Sequence, residues 1–159
     1  MITAVSLLEP PQPSTSDATV DDTGVAAMLA AGEPLPQTHA LVIGHHTLEL
    51  LCGLISRGCA AALEMKPQGR LPAEPAELVL IPDIDTLDAV RNALLLARRA
   101  LLPCGRIVLQ DRSGTQATAI ADLLRRGGFS AVRVRRSATT TLITGDWPMF
   151  GLTTTVRHA

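Results

Sequence analysis

The sequence predicts one α/β domain: a mostly parallel sheet, helices on both faces, and an antiparallel hairpin near the C-terminal side. Three observations carry this. Runs of consecutive apolar residues, Ala40-Leu41-Val42-Ile43 and Leu78-Val79-Leu80-Ile81, read as strands buried on both faces. Segments of helical spacing lie between such runs, most clearly Leu87, Val90, Leu94, Ala97 and Leu101. The last two predicted strands, Ala131–Val134 and Phe150–Arg157, follow one another with no helix between them, which makes them a hairpin.

Taken in order, residues 1–20 form a Pro- and Ser-rich arm predicted to be mobile. Residues 21–37 hold a short helix, started by Asp21 or Asp22 and closed by Gly32, and then a linker with Pro34 and Pro36. Residues 38–159 are the domain proper. The strand over 40–43 ends at Gly44. Leu48, Leu51, Cys52 and Ile55 mark a helix that Gly58 ends. Ala60–Met65 is a second strand, and the segment 67–75 is a loop. The strand over 78–81 is expected to stop at Pro82. Pro103-Cys104-Gly105 reads as a turn into a strand over 106–110. Ile120, Leu123 and Leu124 mark the next helix, closed by Gly127-Gly128.

Composition narrows the class. At 159 residues, 47% hydrophobic, the chain can bury a core without metals or disulfides. Only 2% is aromatic, so that core is aliphatic. Cys52, Cys59 and Cys104 lack metal-like or C-x-x-C spacing and read as small hydrophobes in a reducing compartment. With no long apolar run and no basic, apolar leader, the chain is expected to be cytoplasmic, without a membrane partner. Residues 1–90 carry 12 acids and 3 bases, and residues 91–159 carry 3 acids and 11 bases. No aromatics interleave with the arginines, so mutual neutralisation of the two halves is favoured over nucleic-acid binding.

The order of elements over about residues 38–158 resembles the class I S-adenosylmethionine-dependent methyltransferases. Leu41-Val42-Ile43-Gly44-His45-His46 stands where that family has its glycine-rich cofactor loop. Glu64 stands at the end of the second strand. Ala76–Ile81 is similar to the entry of the fourth strand. Ala97–Leu109, with its Pro103-Cys104-Gly105, resembles the family's helix, Pro-Gly-Gly turn and fifth strand. The first strand departs from the pattern. Val42 replaces an acid, and His46 and Leu48 replace the second and third glycines, so only Gly44 remains. Only Met65–Ala76 separates Glu64 from the next strand, too short for the family's helix and third strand, so that strand is expected to be missing. The second strand then becomes a sheet edge, a pairing hazard that suggests a homodimer or cover by the 67–75 loop.

Ligands of open parallel sheets bind beyond the C-terminal strand ends. Gly44, His45, His46, Glu64 and Asp83 are therefore the candidate cofactor-binding residues, and no catalytic residue is assigned. The resemblance implies S-adenosylmethionine as cofactor. A loop with side chains in place of glycines narrows the approach to a nucleoside. The favoured expectation is thus a methyltransferase-like domain with an eroded cofactor loop, serving as a non-catalytic binding, regulatory or assembly module for an unknown protein partner. The alternative is an active methyltransferase acting on a small molecule or a protein. His45 and Glu49, four residues apart, raise a weaker metal reading, and no metal is expected.

Overall fold

The computed structural model describes residues 19–34 and 36–149, with side chains from residue 24 onward. Ten elements follow in order: α1 (Thr19–Gly32), β1 (His39–Ile43), α2 (Leu48–Ser56), β2 (Ala61–Met65), β3 (Ala76–Ile84), α3 (Leu87–Ala100), β4 (Leu101–Asp111), α4 (Ala117–Arg126), β5 (Ser130–Arg136) and β6 (Thr141–Asp146). They form one sheet in the order β2-β1-β3-β4-β6-β5. The β2-β1-β3-β4 half is parallel, and β6 runs antiparallel to both β4 and β5. Among the described residues no strand separates β2 from β3, so β2 closes one edge, as the shortness of the connection predicts.

Two apolar layers sandwich the sheet, because alternate residues of each buried strand face opposite sides. Leu41, Val79, Ile107, Leu109 and Ile143 face α3 and α4. Val42, Leu78, Leu80, Val108 and Leu142 face α1 and α2. Helix α3 forms where the buried stripe Val90, Ala93, Leu94, Ala97 and Ala100 recurs. Thr86 caps it, its hydroxyl accepting from the Ala89 amide at 3.1 Å, and Arg98 and Arg99 complement the dipole at its end. Helix α1 belongs to this sandwich: Met28 and Leu29 are buried against α2 and the sheet.

Three expectations need correction. The strand over 78–81 does not stop at Pro82. It continues to Ile84 through a register shift after Ile81. Pairing with β1 already ends at Leu80, so no ladder bond to β1 is required of the proline, which has no N–H. Pro103-Cys104-Gly105 is not a turn before β4 but a bulge within it. Ala76 and Leu78 of β3 pair with Leu101 and Arg106. Cys104, in the left-handed region at φ 65°, sits in that bulge, its amide donating to the Trp147 carbonyl at 3.0 Å. The hairpin is real, but its second strand is Thr141–Asp146. The segment 150–157 predicted for it lies outside the described residues, as does nearly all of the 1–20 arm.

Candidate functional site

The parallel strands β1, β3 and β4 end on the same side of the sheet, and β6 starts there. These ends and helices α1 and α2 enclose a pocket of about 340 Å³. That is enough for a small ligand. Its polar lining comes from His46 and Glu49 after β1, Asp83 at the end of β3, Gln110 and Arg112 around the end of β4, and Thr139 and Thr140 before β6. Val25, Met28, Leu50 and Pro82 supply apolar surface.

The loop after β1 keeps a tight shape despite its side chains. The Gly44 amide donates to the Met65 carbonyl at 3.0 Å, joining the ends of β1 and β2. A Cβ on Gly44 would lie 3.3 Å from Pro82 Cγ, so the ring of Pro82 already occupies that flank. His46 adopts φ 54°, a left-handed conformation that glycine would take without penalty and that costs another residue about 1–3 kcal/mol. Its side chain lines the pocket, whereas Leu48 is 71% exposed and points away. Thr47 is buried before α2, but its hydroxyl does not cap that helix and finds no hydrogen-bond partner among the described residues.

The candidate residues are therefore divided. His46 and Asp83 meet in the pocket. Gly44, His45 and Glu64 do not line it. Glu64 is exposed on the edge strand, in register with Val42. Arg112 Nε lies 2.7 Å from Asp83 Oδ1, an ion pair across the strand ends, but the contact is not aligned as a hydrogen bond, so that buried oxygen has no hydrogen-bond partner among the described residues. Sequence reasoning did not single out Arg112, Gln110 or the Thr139-Thr140 pair. The rule that pointed to Asp83, position just past a strand's C-terminal end, points equally to Arg112. Neighbouring Asp111 is a structural acid. It is buried and accepts from the Ser113 amide and hydroxyl and from the Gln116 amide, organising the turn into α4. Among the described residues no group of three or more His, Cys, Asp or Glu is placed to hold a metal, and no helix is long and apolar enough to cross a membrane.

No protein-family model matches the chain, and no curated protein does. Solved structures do. A ribosomal protein L11 methylase from Lactobacillus delbrueckii subsp. bulgaricus aligns with a TM-score of 0.64 at 10% identity, over 80% of this chain and 78% of that one. A precorrin-6y C5,15-methyltransferase from Geobacter metallireducens aligns with a TM-score of 0.63 at 14% identity, over 78% and 87%. A release-factor-specific protein-(glutamine-N5) methyltransferase from Alicyclobacillus acidocaldarius aligns with a TM-score of 0.61 at 12% identity, over 89% and 99%. At these identities the likeness establishes the fold: this chain has the class I S-adenosylmethionine-dependent methyltransferase fold, with one edge of its sheet shortened.

Proposed function

We propose that this methyltransferase-fold domain is a non-catalytic binding or assembly module whose strand-end pocket no longer receives S-adenosylmethionine. The observation that carries the reading is the Asp83–Arg112 ion pair at 2.7 Å. It places a guanidinium beside the carboxylate that would otherwise face, alone, a cofactor that is itself cationic at sulfur. The position of Glu64 supports the same reading. An acid that hydrogen-bonds a ribose must share the ligand's pocket, and Glu64 lies outside it. Pro82 against Gly44, and the His46 side chain in the pocket, narrow the approach further. The residues present do not fit the cofactor, so no methyl-transfer step is assigned to them. A cytoplasmic location belongs to this reading, supported by three free cysteines.

Calorimetric titration of the full chain with S-adenosylmethionine and with S-adenosylhomocysteine tests it. The expected result is no heat of binding at millimolar ligand. A micromolar dissociation constant, about -8 kcal/mol, overturns it and restores the active methyltransferase as the working reading.

A further inference from the structure

The far edge of the sheet offers a second surface, independent of whether the strand-end pocket holds a nucleoside. Strand β5 is the outermost strand, so alternate backbone N–H and C=O groups along its outer side have no strand partner among the described residues. It is regular from Arg133 to Arg136, where it pairs with Thr144 to Thr141 of β6, and irregular before that, with Ala131 at φ 50°. Arg133, Arg135 and Arg136 are exposed.

The described arginines of this half divide into ion-paired and unpaired ones, and of the unpaired, Arg98, Arg99 and Arg126 lie in the last turns of α3 and α4. Arg91, Arg106, Arg112 and Arg125 each hold a carboxylate at 2.7–3.3 Å. Arg133, Arg135 and Arg136 hold none among the described residues. Arg133 and Arg135 stand opposite Thr144 and Leu142, on the sheet face that α1 only partly covers. There they line a groove of about 270 Å³ whose other wall is Ala30 and Ala31 of α1. The two acids in the groove, Glu33 and Asp146, are both bonded to Arg106, so the uncommitted charge is positive.

We propose that β5 and this groove dock an extended, acidic polypeptide segment as an added strand. A free strand edge asks for alternating donors and acceptors at strand spacing, which a polypeptide backbone supplies and a phosphodiester does not. No exposed aromatic stands among these arginines to stack on a base. Positive charges on an edge also deter pairing with a second copy of the same edge. That repulsion becomes attraction only for a strand of opposite charge, so one set of residues rejects self and selects an acidic partner.

The probe is an N-acetylated, C-amidated octapeptide of alternating Glu and Thr, added to the full chain and followed by fluorescence anisotropy and backbone amide exchange. Binding should weaken as salt rises, and exchange should slow at β5 amides. The combined R133Q/R135Q/R136Q variant should lose at least tenfold in affinity at an unchanged thermal midpoint. Should that variant fail to fold, Arg135→Gln alone should lose severalfold. The Gln-Thr octapeptide should not bind. The proposal is overturned by absence of peptide binding at low salt, by binding that the Arg135→Gln substitution leaves unchanged, or by binding without slowed exchange on β5. A DNA duplex that binds as tightly as the peptide also overturns it, in favour of a nucleic-acid surface.

Discussion

Against α3 and α4 the sheet presents Val79, Ile107, Leu109 and Ile143; against α1 and α2 it presents Val42, Leu80, Val108 and Leu142. The α3/α4 layer is larger, with 21 buried residues to 11 among those described, and each of its helices buries a continuous stripe on the strands. The α1/α2 layer depends on special contacts instead. Gly53 of α2 lets Leu29 of α1 lie directly on the helix backbone. Arg106 reaches from β4 to Asp146 at 2.8 Å, to Glu33 at 3.3 Å and to the Ala31 carbonyl at 3.4 Å, tying the end of α1 to the sheet. The strand-end pocket and the β5 groove both open on this second side. The two proposed binding surfaces thus share the face with the smaller apolar layer.

The comparison is most easily broken in the two cores. Leu109→Ala, on the α3/α4 side, should cost about 4 kcal/mol, because its fixed surroundings leave a cavity. Leu80→Ala, equally buried on the other side, should cost about 2–3 kcal/mol, because a smaller layer collapses more readily. Urea unfolding of both variants measures this, and equal losses would remove the distinction. Gly53→Ala is next. A methyl there meets Leu29, which is 2% exposed. Overpacking of about 1–3 kcal/mol outweighs a helix-propensity gain of about 1 kcal/mol, for a net loss of about 1 kcal/mol. A stabilised variant would mean that Leu29 slides freely.

Arg106→Met sharpens the contrast further. The guanidinium is about one-third exposed, so its network is screened and its loss should cost about 1 kcal/mol. Amide exchange should rise in α1 and not in α4. The smallest effect concerns pH. Burial, and then the charge of Glu77, raise the Cys59 thiol above its ordinary value. In alkaline solution the unfolded chain therefore releases this proton before the native chain does. The contribution is intact below the ordinary thiol pKa of about 8.5 and is lost as pH rises past it. Stability measured from pH 8 to 10 should fall less in Cys59→Ala than in the wild-type chain.

Much of this architecture was legible in the sequence. Strands buried on both faces announce themselves as unbroken apolar runs, and β1 and β3 did so. The stripe of α3 fixed its span to within a residue. Strand β6 was not legible, because Thr141-Leu142-Ile143-Thr144-Gly145-Asp146 mixes polar and apolar residues and gains its burial from the strands on either side. Pro82 and Pro103 suggested boundaries that register shifts in β3 and β4 override. For the candidate site, position past a strand end pointed to Asp83 and His46, and both line the strand-end pocket. Its limit was Glu64: proximity along the sheet edge did not bring that side chain into the pocket. The pairing of Asp83 with Arg112 is a contact between distant parts of the chain that no local pattern records.

The place of β6 has a consequence for synthesis. It follows β5 in the chain yet lies between β4 and β5 in the sheet. Until residue 146 has emerged from the ribosome, β4 has no neighbour on that side and β5 has nothing to join. The arginine-bearing strand thus waits for the strand made just after it before it can join the sheet. The outer half of the sheet therefore waits for β6, the last of the described strands, which pairs with β5 on one side and β4 on the other.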